Sequence, residues 1–163
     1  RDRRSVGDEI GGDFDIHVYG GKVAASYHGA TLTLAFSATD DGAGIRNPYG
    51  GCPGYLSLMV ESFNRADEDA GLVGASYDFA EIGLPGLSSF VNYARGDTPD
   101  SGSNASPDQR ELDITVDYRF QSRALKGLWL RARAAFVDQD NDVDGTGDVE
   151  DIRVILNYDL PIL

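Results

Sequence analysis

Polar and apolar residues alternate along most of this chain. In "ELDITVDYRF", residues 111 to 120, Leu112, Ile114, Val116, Tyr118 and Phe120 fall on one side of an extended backbone. Asp113, Thr115, Asp117 and Arg119 fall on the other. The same two-residue period sets Leu32, Leu34 and Phe36 against Thr31, Thr33 and Ser37. It sets Leu128, Leu130, Ala132, Ala134 and Phe136 against Trp129, Arg131, Arg133 and Ala135. Near the end, Ile152, Val154, Leu156 and Tyr158 oppose Arg153, Ile155, Asn157 and Asp159. Period-two alternation rich in β-branched and aromatic residues marks strands with one apolar and one polar face. It predicts strands at 14–28, 30–39, 71–81, 87–97, 111–120, 128–138 and 152–160, with almost nothing helical.

The connections are of two kinds. "YHGAT", "IGLPGL" and "QSRALKG" are short, whereas "GDTPDSGSNASPDQRE" and "QDNDVDGTGDVED" are long, polar and acidic. Short and long alternate, as in an up-and-down meander that crosses a slab with tight turns on one side and long loops on the other. The longest connection, 40–70, contains the apolar "YLSLMVESF", which reads as an extra strand or a folded loop segment. A loose repeat relates "SYDFAEIGLPGL", "DYRFQSRALKGL" and "NYDLPIL", with Tyr77, Tyr118 and Tyr158 at near-constant intervals.

Aromatic residues collect at two levels. Tyr27, Tyr77, Tyr118 and Tyr158 stand near the short turns, and Phe36, Tyr93 and Phe136 near the long loops. Two such rings match the interfacial girdles of a transmembrane barrel. Alternation alone fits equally a soluble barrel with its apolar face inward and a membrane barrel with that face to lipid. The girdles and the loop asymmetry favour the membrane. Arg131 and Arg133 then face a wet lumen, because each would cost about 2–4 kcal/mol at mid-depth on the lipid side.

Composition removes other classes. A net charge of −13 over 163 residues offers no basic surplus for nucleic acid. The single cysteine, Cys52, excludes an internal disulfide framework. No apolar run approaches the roughly 18 residues of a membrane helix, so a span would have to be made by strands. His17 and His28 have no nucleophile at a recognisable spacing, and no phosphate-binding loop follows a strand, so an enzyme is not expected. "DNDVDGTGDVED" sets Asp140, Asp142, Asp144 and Gly145 in the phase of a calcium loop. Strands rather than helices flank it, so the expectation is a solvated acidic hairpin loop, with Ca2+ at Asp140, Asp142 and Asp144 as the sharper alternative.

The stretch "PYGGCPGYLSLMVESFNRADEDAGLVGASYDFAEIGLPGLSSFVNYARGDTPD", the strand "GLWLRARAAFVDQD" and the end "DIRVILNYDLPIL" resemble the C-terminal part of the OprD-type substrate-specific porins. The resemblance runs from about "HVYGGKVAASYHGATLTLAFS" onwards. It implies an all-β, antiparallel up-and-down transmembrane β-barrel, with residues 1–163 as about seven C-terminal strands of an 18-stranded barrel. It implies a monomer in the Gram-negative outer membrane, in contact with lipid and lipopolysaccharide, that passively passes small anionic solutes, many bearing a carboxylate. Arg131 and Arg133 would be rungs of that family's basic ladder; Arg119, Arg153 and Lys22 join them by position alone. Asp113 and Asp117, on the neighbouring strand, are expected to pair with these arginines. The loop that narrows the pore is expected upstream, outside residues 1–163. If the chain were complete, an eight-stranded barrel using residues 55–63 as a strand would be the fallback. The other functional class is a small non-transporting membrane or soluble barrel that binds ligands or calcium through its acidic loops.

Overall fold

A computed structural model describes residues 2–4, 15–44, 56–140 and 147–159. They form one eight-stranded antiparallel sheet in simple chain order. The strands are β1 (Asp2–Arg4), β2 (Asp15–Tyr27), β3 (Ala30–Thr39), β4 (Asp69–Asp78), β5 (Leu87–Asp97), β6 (Gln109–Arg119), β7 (Leu128–Gln139) and β8 (Val149–Tyr158). The seven long strands are those the alternation predicts. β1 has only three residues, too short for a periodic signal.

Boundaries moved where capping chemistry overrides the pattern. β4 stops at Asp78, not at 81, because the Asp78 side chain accepts the Ala80 N–H and caps a single 3-10 turn, Phe79–Ile82. β8 runs 149–158 rather than 152–160, since Val149 and Glu150 pair with Val137 and Phe136. Residues 56–63 do not form a wall strand. Among them, Ser57 and Ser62 bridge each other in a small hairpin of their own, which removes the fallback barrel.

The β2–β3 turn shows how the register is pinned. Tyr27 pairs with Ala30 across His28 and Gly29, whose φ values are 44° and 77°. Two positive φ angles make a type I′ turn, whose twist matches that of the strands. A Cβ on Gly29 would also stand 2.8 Å from the Asp78 carbonyl oxygen. Gly29→Ala is therefore expected to destabilise the barrel by about 1–2 kcal/mol, read as a lower urea midpoint for refolding in detergent; an unchanged midpoint would contradict this turn.

Register fixes the faces. Ala25, Leu32, Ala75, Val91, Ile114, Ala134 and Ile152 follow one another across the sheet on the outer face. Val23, Leu34, Val73, Val116, Val154 and Leu156 accompany them, all exposed. Tyr19, Phe36, Tyr93 and Phe136 edge this apolar band towards the long loops, and Tyr27, Tyr77, Tyr118 and Tyr158 edge it towards the short turns. A soluble protein does not leave such a continuous apolar face uncovered. Lipid covers it. The buried cluster is small and lies on the opposite, inner face: Ala35, Ala70 and Ala94 of the wall, with Leu56 and Phe63 of the β3–β4 connection packed on them.

Candidate solute path

The inner face is polar and reads in rows. Nearest the short turns, Arg119, Trp129 and Asn157 are cross-strand neighbours; next come Asp117, Arg131 and Ile155. Then Thr115, Arg133 and Arg153 form a row, followed by Asp113, Ala135 and Asp151, and then by Glu111 with Val137. Successive rows are about 7 Å apart along the strands. Thus Arg119, Arg131, Arg133 and Arg153 converge on three adjacent strands. Lys22 also lies on the inner face and is exposed, but it sits on β2 opposite Ala35, about 24 Å away by strand spacing. The structure does not bring it to the arginines.

Each arginine is held differently. Arg131 makes a two-pronged pair with Asp117, Nε to Oδ1 at 2.6 Å and Nη2 to Oδ2 at 2.7 Å. Planar guanidinium and carboxylate match in this way, so the side chain is fixed across the β6–β7 ladder. The Trp129 ring lies between two cations, 5.1 Å from Arg131 Cζ and 5.2 Å from Arg119 Cζ. Arg119 is 64% exposed, with Asp159 3.9 Å away. Arg133 Nε donates to Thr115 Oγ1 at 3.2 Å, and its Nη2 is 4.0 Å from Asp113 Oδ2. Arg153 bonds Asp151 two residues earlier on its own strand. Arg133 and Arg153 stand directly opposite each other, an arrangement that repels unless carboxylates intervene. Asp113 and Asp151 supply them. The expected pairing of Asp113 and Asp117 with the arginines is present, tight for Asp117 and loose for Asp113.

Towards the long loops the wall is covered by residues 56–68. Leu56 and Phe63 are buried against Ala35, Ala70 and Ala94. Gly96 makes the seat possible, since a Cβ there would stand 2.8 Å from the Phe63 ring. Arg65 bonds Glu68 through its backbone N–H (2.8 Å), Nε (3.0 Å) and Nη2 (2.7 Å). Arg65 Nη1 reaches on to Ser106 Oγ at 2.8 Å and the Pro107 carbonyl at 2.6 Å, tying this segment to the next long loop. At the hairpin tip, the backbone N–H groups of Met59, Val60 and Glu61 donate to Asp113 and Glu111. Burial pushes the Glu61 carboxyl up, and the neighbouring Glu111 charge adds to it. So residues 56–68 are a loop folded onto the inner wall, the second of the two forms expected for "YLSLMVESF". Sequence reasoning missed Glu111, Glu68 and Arg65. The available signal was "YLSLMVESF", an apolar stretch in a polar connection, which needs a surface to rest on.

Of the calcium-loop residues, Asp140 accepts from Arg110 Nη2 at 2.6 Å on the loop side of the barrel. Asp142 and Asp144 lie outside the described residues, as does Cys52. No cluster of three or more metal-type ligands occurs among the described residues.

The model of the outer membrane porin, OprD family, matches residues 2–162. The chain belongs to the OprD family. Its fold agrees with solved members. OccK5 (OpdH) of Pseudomonas aeruginosa superposes with a TM-score of 0.86 at 26% identity, over 99% of this chain and 44% of that one. OpdK of the same organism, solved with vanillate, gives 0.84 at 25% identity, over 95% of this chain and 41% of that one. A BenF-like porin of Pseudomonas fluorescens gives 0.84 at 25% identity, over 95% and 40%. This OprD-family chain thus spans less than half the length of these relatives. No curated protein matches it significantly. Membership places the barrel in the outer membrane, with the apolar face to lipid and the arginine-bearing face to the lumen.

Proposed function

We propose that the complete barrel is a passive channel for small carboxylate-bearing solutes, which Arg119, Arg131, Arg133 and Arg153 guide along one side of the lumen. The observation that carries this reading is the convergence of those four cations on β6, β7 and β8, within a polar wall. Guanidinium groups stay charged at every relevant pH and offer planar forks that fit carboxylates. Spaced rungs give an anion successive weak sites, so it enters without being trapped. The wall carboxylates serve the same end, because an arginine already paired with Asp117 or Asp151 binds an arriving anion less tightly and releases it sooner. The relative OpdK is solved with vanillate, a small aromatic carboxylate.

The test is bilayer recording on the complete protein under a gradient of sodium benzoate. The expected reversal potential has the sign of anion preference, and benzoate should permeate faster than uncharged benzyl alcohol in vesicle swelling. Cation preference would overturn the reading. Absence of conductance would return the protein to the class of non-transporting barrels.

A further inference from the structure

We propose that Glu111 and Asp113 form a latch that holds the 56–62 hairpin against the wall, so that these two acidic residues set the aperture and determine which solutes reach Arg133. The proposal rests on the channel reading above.

Both carboxylates project from the inner face of β6, two residues apart, at 0% and 1% exposure. A buried carboxylate needs partners. Here they come from backbone: Val60 N–H reaches Glu111 Oε1 at 2.9 Å, Glu61 N–H reaches Oε2 at 2.7 Å, and Met59 N–H reaches Asp113 Oδ2 at 3.0 Å. Three consecutive N–H groups at the turn of a hairpin have no strand to pair with, and the wall side chains supply the missing acceptors.

The two ends of the segment are fastened by different means. Its base rests on apolar contacts of Leu56 and Phe63 and on the Arg65–Glu68 pair, which Gln109 Nε2 also approaches at 3.4 Å. Its tip meets the wall through the Glu111 and Asp113 carboxylates. Neutralising either carboxylate should therefore release the tip and leave the base seated.

One atom joins the latch to the arginines. Asp113 Oδ2 accepts the Met59 N–H and also lies 4.0 Å from Arg133 Nη2, while Asp113 Oδ1 is buried without a hydrogen-bond partner among the described residues. A solute carboxylate drawn to Arg133 competes with Asp113 for that cation. The position of the hairpin tip and the occupancy of the arginine row are then linked through a single side chain.

Glu111→Gln, Asp113→Asn and the double variant, made in the complete protein, test this. Glutamine keeps one acceptor and turns an NH2 group towards a backbone N–H. Amide exchange at residues 59–61 is expected to rise about ten- to hundredfold, as for loss of a charge-assisted hydrogen bond. Single-channel conductance should rise, and discrimination between benzoate and bulkier carboxylates should fall. Glu111→Asp, which keeps both oxygens, should restore part of the selectivity. Deleting residues 58–61 should widen the pore equally and abolish any further effect of Glu111→Gln; it also serves if the point variants do not fold. Folded variants with unchanged amide exchange, conductance and selectivity would overturn the latch. If the unaltered protein shows no anion preference, the channel reading fails instead, and amide exchange still decides whether the latch exists.

Discussion

Replacing Arg131 and Arg133 together by alanine in the complete barrel is expected to slow benzoate entry by about tenfold or more, while uncharged solutes pass as before. A unit charge 4 Å from an anion contributes about 1 kcal/mol in water and about 4 kcal/mol at the intermediate dielectric of a partly buried wall. The two side chains are 29% and 21% exposed, between those limits. Even the lower figure, summed over two rungs, is a factor of more than ten. The substitution also uncovers Asp117, only 16% exposed, whose charge then opposes the solute. Asp117→Asn in the otherwise unaltered protein should make benzoate flux saturate at a lower concentration, because Arg131, freed of its partner, binds anions more tightly and releases them later. Adding Asp117→Asn to the double alanine variant removes the stray carboxylate and separates lost attraction from new repulsion. Vesicle swelling in benzoate against benzyl alcohol reads all three variants. Equal benzoate rates in all of them would end the guiding role.

The other large effect concerns the lipid face. Ile114 sits in the central outward row, between Val91 and Ala134, and is 40% exposed. Ile114→Arg is expected to destabilise the assembled barrel by about 2–4 kcal/mol. It should appear as a lower yield of the heat-shiftable band after folding into vesicles. The same residue type at Thr33, on the inner face, should have little effect on assembly. If the two positions proved equally tolerant, the assignment of faces would be wrong.

Both predictions rest on features legible in the sequence. Alternation, a local property of each strand, separates Arg131 and Arg133 from Ile114, and the aromatic girdles with the loop asymmetry turn the arginine face inward. The expected neighbours Asp113 and Asp117 lie within one hairpin of those arginines, and hairpin register is nearly determined by a short turn. Glu111 was different. It falls on the polar side of β6 like its neighbours, and nothing in its strand distinguishes a carboxylate that faces water from one that receives backbone N–H groups. Its partners are 50 and 51 residues away in the chain, in a connection with no periodicity. The same holds for Gln109 and Glu68, which meet only because the loop turns inward. Lys22 shows the converse limit. Alternation put it on the correct face, but a face extends across the whole sheet, and the meander order sets β2 four strands from β6, remote from the arginines.

The docked segment also bears on how the sheet comes together. Every long strand pairs with its neighbour in sequence, and most of these pairings close over 2 to 11 residues. β3 and β4 are the exception, with 29 residues between Thr39 and Asp69. Compared with the two-residue turn at His28–Gly29, bringing those ends together costs about 2–3 kcal/mol more in chain entropy. Two crossing bonds at the base recover part of it, Thr39 N–H to the Glu68 carbonyl at 3.0 Å and Asp67 N–H to the Asp40 carbonyl at 2.9 Å. The hairpins β2–β3 and β4–β5 therefore close readily, and the joint between them is the demanding step. The loop that covers the lumen wall thus doubles as the staple that sets the order of assembly.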